Sequence, residues 1–108
     1  IRSMLRTEFE TAFKSVDILT SPSMPMLPFK IGQFVNDPIA MYLADYFHVP
    51  NCILGTPALA IPCGFSKENL PMSIQFLGPR LSEQLLYKVA YAFQESTDYH
   101  TKHAPGFD

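Results

Sequence analysis

Imidazoles, thiols and one out-of-place carboxylate are the groups in this sequence whose types and spacing could support chemistry. His100 and His103 stand three apart, a spacing compatible with a shared metal ion. Their neighbourhood holds no cysteine and no carboxylate other than Asp98, so a solvated tail is expected there rather than a metal site. His48 follows two aromatic residues where a helix is expected to end, which suits capping of free carbonyls. Cys63 lies at the end of an expected strand, a place where α/β proteins expose reactive groups. A cysteine nucleophile needs a base or positive charge beside it, and the flanking Pro62 and Gly64 supply neither. Cys52 and Cys63 are expected to be free, buried thiols. The glycines are too scattered to cradle a phosphate.

Asp45 is different. It sits in Met41-Tyr42-Leu43-Ala44-Asp45-Tyr46-Phe47, whose other members are all apolar or aromatic. A carboxylate buried in such company costs several kcal/mol unless a cation or a hydrogen-bond donor meets it. Two readings follow from the residues. Either Asp45 receives such a group, or it caps a turn near Pro50 or faces water on the far side of its helix.

These residues hang on a few recognisable elements. Ile1, Leu5, Phe9 and Phe13 repeat every four positions while Arg2, Arg6, Glu10 and Lys14 fall elsewhere, which predicts an amphipathic helix over residues 1–16. Asp17–Thr20 reads as a short strand. Residues 21–38 hold four prolines and no helical period, so an ordered loop is expected, with more apolar side chains than a solvated linker would carry. Asp37-Pro38 reads as an N-cap and first helical residue, opening a helix that runs to about Phe47 and is closed by Pro50. A short turn is expected over Ile53–Thr56.

The stretch Val49–Arg80 organises the rest. Ala58–Phe65 carries no charge, and Met72–Leu77 is apolar except at Ser73 and Gln75. Short apolar runs bounded by Gly and Pro suit strands covered on both faces, here joined by the polar turn Ser66–Asn69. Ser82 reads as the N-cap of a last helix ending near Thr97, with Leu81, Leu85, Val89 and Phe93 along its apolar face. The tail from Asp98 is expected to fray. The fold class that results is α/β, a mixed sheet flanked by helices.

Composition narrows the function. The chain has 108 residues, 47% of them hydrophobic and 17% charged, enough for one domain with a real core. A net charge of −2 argues against a direct nucleic-acid surface, which would need a basic patch. No apolar run approaches the roughly 20 residues of a membrane span. Arg2, Arg6, Glu8 and Glu10 are not the pattern of a secretory leader. The chain opens on Ile1 within a helical pattern and is poor in charge, as expected of a segment of a longer protein.

Taken together, Asn36-Asp37-Pro38, Met41-Tyr42, Asp45, Val49-Pro50, Gly55, Pro57-Ala58, Ile61-Pro62-Cys63-Gly64, Leu70-Pro71, Gln75 and Gly78 resemble the C-terminal part of the amidase-signature family. The Asn36–Asp45 segment is most similar to the A subunits of glutamyl-tRNA(Gln)/aspartyl-tRNA(Asn) amidotransferases, whereas Ile61–Gln75 is shared more widely among amidases. The resemblance implies residues 1–108 to be a C-terminal fragment of a single amidase-signature domain. It implies hydrolysis of a carboxamide by a Ser–cis-Ser–Lys triad held in a Gly/Ser-rich signature, of which this sequence has no counterpart. It also implies glutamine or another small amide as substrate, other amidotransferase subunits as partners, no cofactor, and a cytoplasmic or organellar-matrix location. Asp45 matches the aspartate that holds the substrate α-ammonium in the A subunits. Cys52, Ala60 and Ser73 stand where the family often has Asn, Ser and Gly, departures that bear on the substrate rather than on the fold. A fragment of a free-standing amidase and a non-catalytic interaction module are the competing functions. With no Ser–Ser–Lys arrangement to bring nucleophile and base together, the 108-residue chain alone is predicted to release no ammonia from glutamine. Ammonia release above a mock preparation would contradict this.

Overall fold

The computed structural model describes residues 1–107. In order it contains α1 (Arg2–Ala12), β1 (Leu19–Pro22), α2 (Pro38–Ala44), α3 (Val49–Leu54), β2 (Ala58–Phe65), β3 (Pro71–Leu77), α4 (Glu83–Glu95) and a 3-10 turn at Tyr99–Thr101. The three strands form one sheet in the order β1-β3-β2, and β3 pairs antiparallel with both neighbours. The α/β class stands; among the described residues the strands are antiparallel throughout.

The hairpin β2–β3 is closed by the turn expected from its polar tetrapeptide. Ser66 Oγ accepts from the backbone N–H groups of Glu68 and Leu70, and Asn69 takes the left-handed backbone that Asn tolerates better than most residues. The register runs from Ala58 opposite Leu77 to Pro62 opposite Ser73, then slips so that Gly64 faces Met72. The slip leaves Cys63 unpaired as a bulge. Pro62 lacks a backbone donor, so an interruption at this point gives up little pairing. β1 is an edge strand, and that position lets it end on Pro22.

α4 covers one face of the sheet. Leu86 and Ala90 pack with Ile61 and Phe76 in the core, and the Phe76 and Phe93 rings meet edge-on at 6.5 Å. Gly78 lets the chain turn from β3 into α4. A Cβ there would run into Ser82 and the Leu86 side chain. Ser82 does cap α4 by position, but its Oγ makes no capping bond and is buried without a partner.

The opposite face is covered only in part. There Gln75, 2% exposed, points at the α2–α3 segment. Its Nε2 donates to the Phe47 carbonyl at 2.8 Å and to Ser21 Oγ at 2.9 Å, while its Oε1 accepts from Asn51 Nδ2 at 3.3 Å. Along β2, Ala58, Ala60 and Pro62 are exposed or nearly so, and the strand is not covered on both faces as its sequence suggests. Only α4 lies against β2 among the described helices of more than one turn.

Other expectations shift by a turn or less. α1 ends at Ala12, and Lys14–Val16 continue as turns on the Thr11 and Ala12 carbonyls. Pro50 does not merely close α2. It sits in the first turn of α3, which replaces the short turn expected at Ile53–Thr56 and ends on the left-handed Gly55. The tail is partly ordered: Tyr99 packs beside Phe65, and Lys102 bonds Asp98. Asp108 lies outside the described residues.

Replacing Gln75 with Leu keeps the bulk but strands the Phe47 carbonyl and the Asn51 amide. The expected cost is about 2–4 kcal/mol, read as a lowered denaturation midpoint. A stability change below about 0.5 kcal/mol would mean that the amide bonds are not holding the two layers together.

Candidate functional site

Asp37 opens the site. Its Oδ1 accepts from the Ala40 N–H at 3.0 Å, so the expected N-cap is formed and Pro38 takes the first helical position. Two turns later α2 stops at Ala44, and Asp45 becomes its C-cap. The backbone then folds tightly, with the N–H groups of His48 and Val49 both donating to the Asp45 carbonyl.

The Asp45 carboxylate is not buried; its side chain is 65% exposed. It lines a concavity of about 710 Å³ whose walls include Phe29, Phe34, Val35, Met41 and Tyr42, and among the described residues it is the one charged group there. The loop that supplies the near wall is held by its own turns. Lys30 N–H donates to the Gln33 side chain, Gln33 N–H donates back to the Lys30 carbonyl, and Gly32 adopts φ of +81°. Phe29 and Phe34 then meet edge-on at 4.9 Å. The apolar residues of the 21–38 loop thus shape a surface instead of filling a core.

His48 does not cap carbonyls with its ring, as its position suggests; its Nδ1 donates to Asp45 Oδ1 at 3.0 Å. Read one at a time, Asp45 and His48 give no hint of this pairing. The signal that joins them is their spacing of three across a helix end, which brings side chains together.

The remaining candidates are scattered. His100 and His103 lie in the tail, and among the described residues no three His, Cys, Asp or Glu side chains gather as a metal would require. Asp98 is taken by Lys102 at 2.7 Å, and that bond and charge hold its carboxyl below the usual range. Both cysteines are free, but Cys52 is exposed rather than buried. Cys63 is half-buried, and desolvation pushes its thiol above the ordinary value. Cys63 also lines a second, apolar trough of about 820 Å³ between the loop around Met24 and Met26 and the bulged ends of β2 and β3.

The family model for amidases matches residues 1–87. The chain belongs to the amidase family. Curated relatives include the A subunits of the glutamyl-tRNA(Gln) amidotransferases of Bacillus thuringiensis (strain Al Hakam) and Bacillus mycoides (strain KBAB4). Each is 39% identical over 104 residues, which is 96% of this chain and 21% of the relative. The chain therefore spans about a fifth of the length of these amidases. Among solved structures, the A chain component of the Thermotoga maritima glutamyl-tRNA(Gln) amidotransferase superposes with a TM-score of 0.84 at 33% identity, over 91% of this chain and 21% of that one. A 6-aminohexanoate cyclic dimer hydrolase superposes at 0.83 with 19% identity, over 96% of this chain and 24% of that one, a likeness of fold alone.

Thiolate, not thiol, is the reactive form, so a raised and half-covered Cys63 should react slowly. Alkylation with iodoacetamide near neutral pH is expected to label Cys52 well before Cys63, as read by peptide mass spectrometry. Faster labelling of Cys63 would point to an activating group beside it.

Proposed function

We propose that this chain is the C-terminal portion of the glutamine-hydrolysing subunit of a tRNA-dependent amidotransferase, and that Asp45 receives the α-ammonium of the substrate glutamine. The observation that carries the reading is the lone carboxylate on an apolar, aromatic-walled concavity. An ionised carboxylate only accepts hydrogen bonds, so it selects a donor, and a primary ammonium is the smallest strongly charged one. Tyr42, Phe29 and Phe34 offer ring faces and apolar walls that suit a cation beside a short methylene chain. Identity of 39% to amidotransferase A subunits over nearly the whole chain supports the same substrate class.

In this reading the chain binds and orients, while the Ser–cis-Ser–Lys chemistry implied by the resemblance comes from elsewhere in the whole protein. Holding the ammonium at Asp45 fixes one end of glutamine, which places the side-chain carboxamide at a set distance. Orientation of this kind accounts for much of the rate gain in intramolecular reactions. The ammonia released is passed to other subunits in the cytoplasm, with no direct contact between this segment and nucleic acid.

The test is Asp45→Asn in the full-length enzyme, assayed on glutamine and on glutaramate, its analogue without the α-amino group. Leaving a bound cation unpaired costs about 2–5 kcal/mol, so kcat/KM for glutamine should fall by more than tenfold. Glutaramate turnover should change little. Equal losses on the two amides would overturn the recognition role and leave Asp45 as a structural residue.

A further inference from the structure

We propose that His48 is a positioning residue for Asp45, tethering one carboxylate oxygen so that the other is presented to the substrate ammonium; this rests on the recognition role proposed for Asp45. Carboxylate torsions are broad, and a side chain as exposed as Asp45 would otherwise sweep through many orientations. The bond from His48 Nδ1 at 3.0 Å removes that freedom at Oδ1. Among the described residues nothing is bonded to Oδ2. His48 does not line the concavity whereas Asp45 does, so the tether pulls from behind the receptor and does not fill it.

The tether is itself anchored. His48 N–H donates to the Asp45 carbonyl at 3.0 Å, which closes main chain and side chain into one small ring of contacts. The residue before it, Phe47, gives its carbonyl to the buried Gln75 amide at 2.8 Å. A line of direct contacts therefore runs from the sheet interior through Gln75, Phe47 and His48 to the carboxylate. Such support of a charged group by fixed donors is the usual way a binding constellation is held to sub-ångström tolerance. His48 also acts without covering the ammonium site, so its loss should affect how well Asp45 is presented and not whether glutamine fits.

Two variants of the full-length enzyme separate this role from a structural one. His48→Leu keeps bulk and loses the donor; His48→Asn puts an amide N–H close to the place of Nδ1. Hydrogen bonds to charged groups are strong enough that His48→Leu should raise KM for glutamine about tenfold. Its kcat, and KM for glutaramate, should stay within about twofold, since neither depends on a presented carboxylate. His48→Asn should restore KM for glutamine to within about threefold of the parent. Equal KM changes on both amides, or no rescue by Asn, would overturn the proposal. Asp45→Asn measured alongside tells the two readings apart. If it discriminates between the amides and His48→Leu does not, the positioning role alone falls. If Asp45→Asn does not discriminate, both fall together.

Discussion

A single buried carboxamide holds the two layers of this segment in register. Gln75 lies on the central strand, and a side-chain amide there must find partners for its polar atoms or cost the fold several kcal/mol. It finds them on three different pieces of chain: Ser21 of the edge strand, the carbonyl of Phe47 between two helices, and Asn51 of the second of those helices. None of these is close to Gln75 in sequence. Each bond satisfies a buried group and also fixes a distance, so the requirement for satisfaction becomes a requirement for geometry. The helix end that carries Asp45 owes its place on the sheet to that requirement.

Much of this arrangement is legible in the sequence because periodicity reports which side of an element is covered. The four-residue repeats of α1 and α4, the uncharged runs of β2 and β3, and the Asp37-Pro38 start of α2 all appear where the pattern places them. The departures have physical causes. Pro50 reads as a stop, yet proline fits the first turn of a helix, so one residue can end α2 and open α3. The strands read as covered on both faces because their sequences are apolar on both. Sequence records what a surface is made for, whereas the cover for one face is not among the described elements. Gln75 itself looks like a blemish in an apolar strand until its three partners are in view.

The site is legible in part. Asp45 stands out as a charge among apolar residues, and several of those residues do surround it, but as the walls of an open hollow. Fold-level likeness adds a complementary lesson. The same backbone arrangement recurs at a TM-score of 0.83 with 19% identity, so apolar pattern and turn chemistry suffice to specify it. What distinguishes one such segment from another is then carried by a few polar side chains, of which His48 beside Asp45 is the instance most open to substitution.

The pairing of β1 with β3 has a topological consequence. Ser21 and Gln75 are 54 residues apart, and the helix end bearing Asp45 lies within the loop that their contact closes. The β2–β3 turn closes over a handful of residues instead. Loop closure grows in cost with the logarithm of length, which makes the long closure dearer by about 2 kcal/mol. The two seams of the sheet are therefore unequal: the hairpin can breathe at its turn without disturbing Asp45, whereas any slackening of the edge strand sets the whole receptor segment adrift.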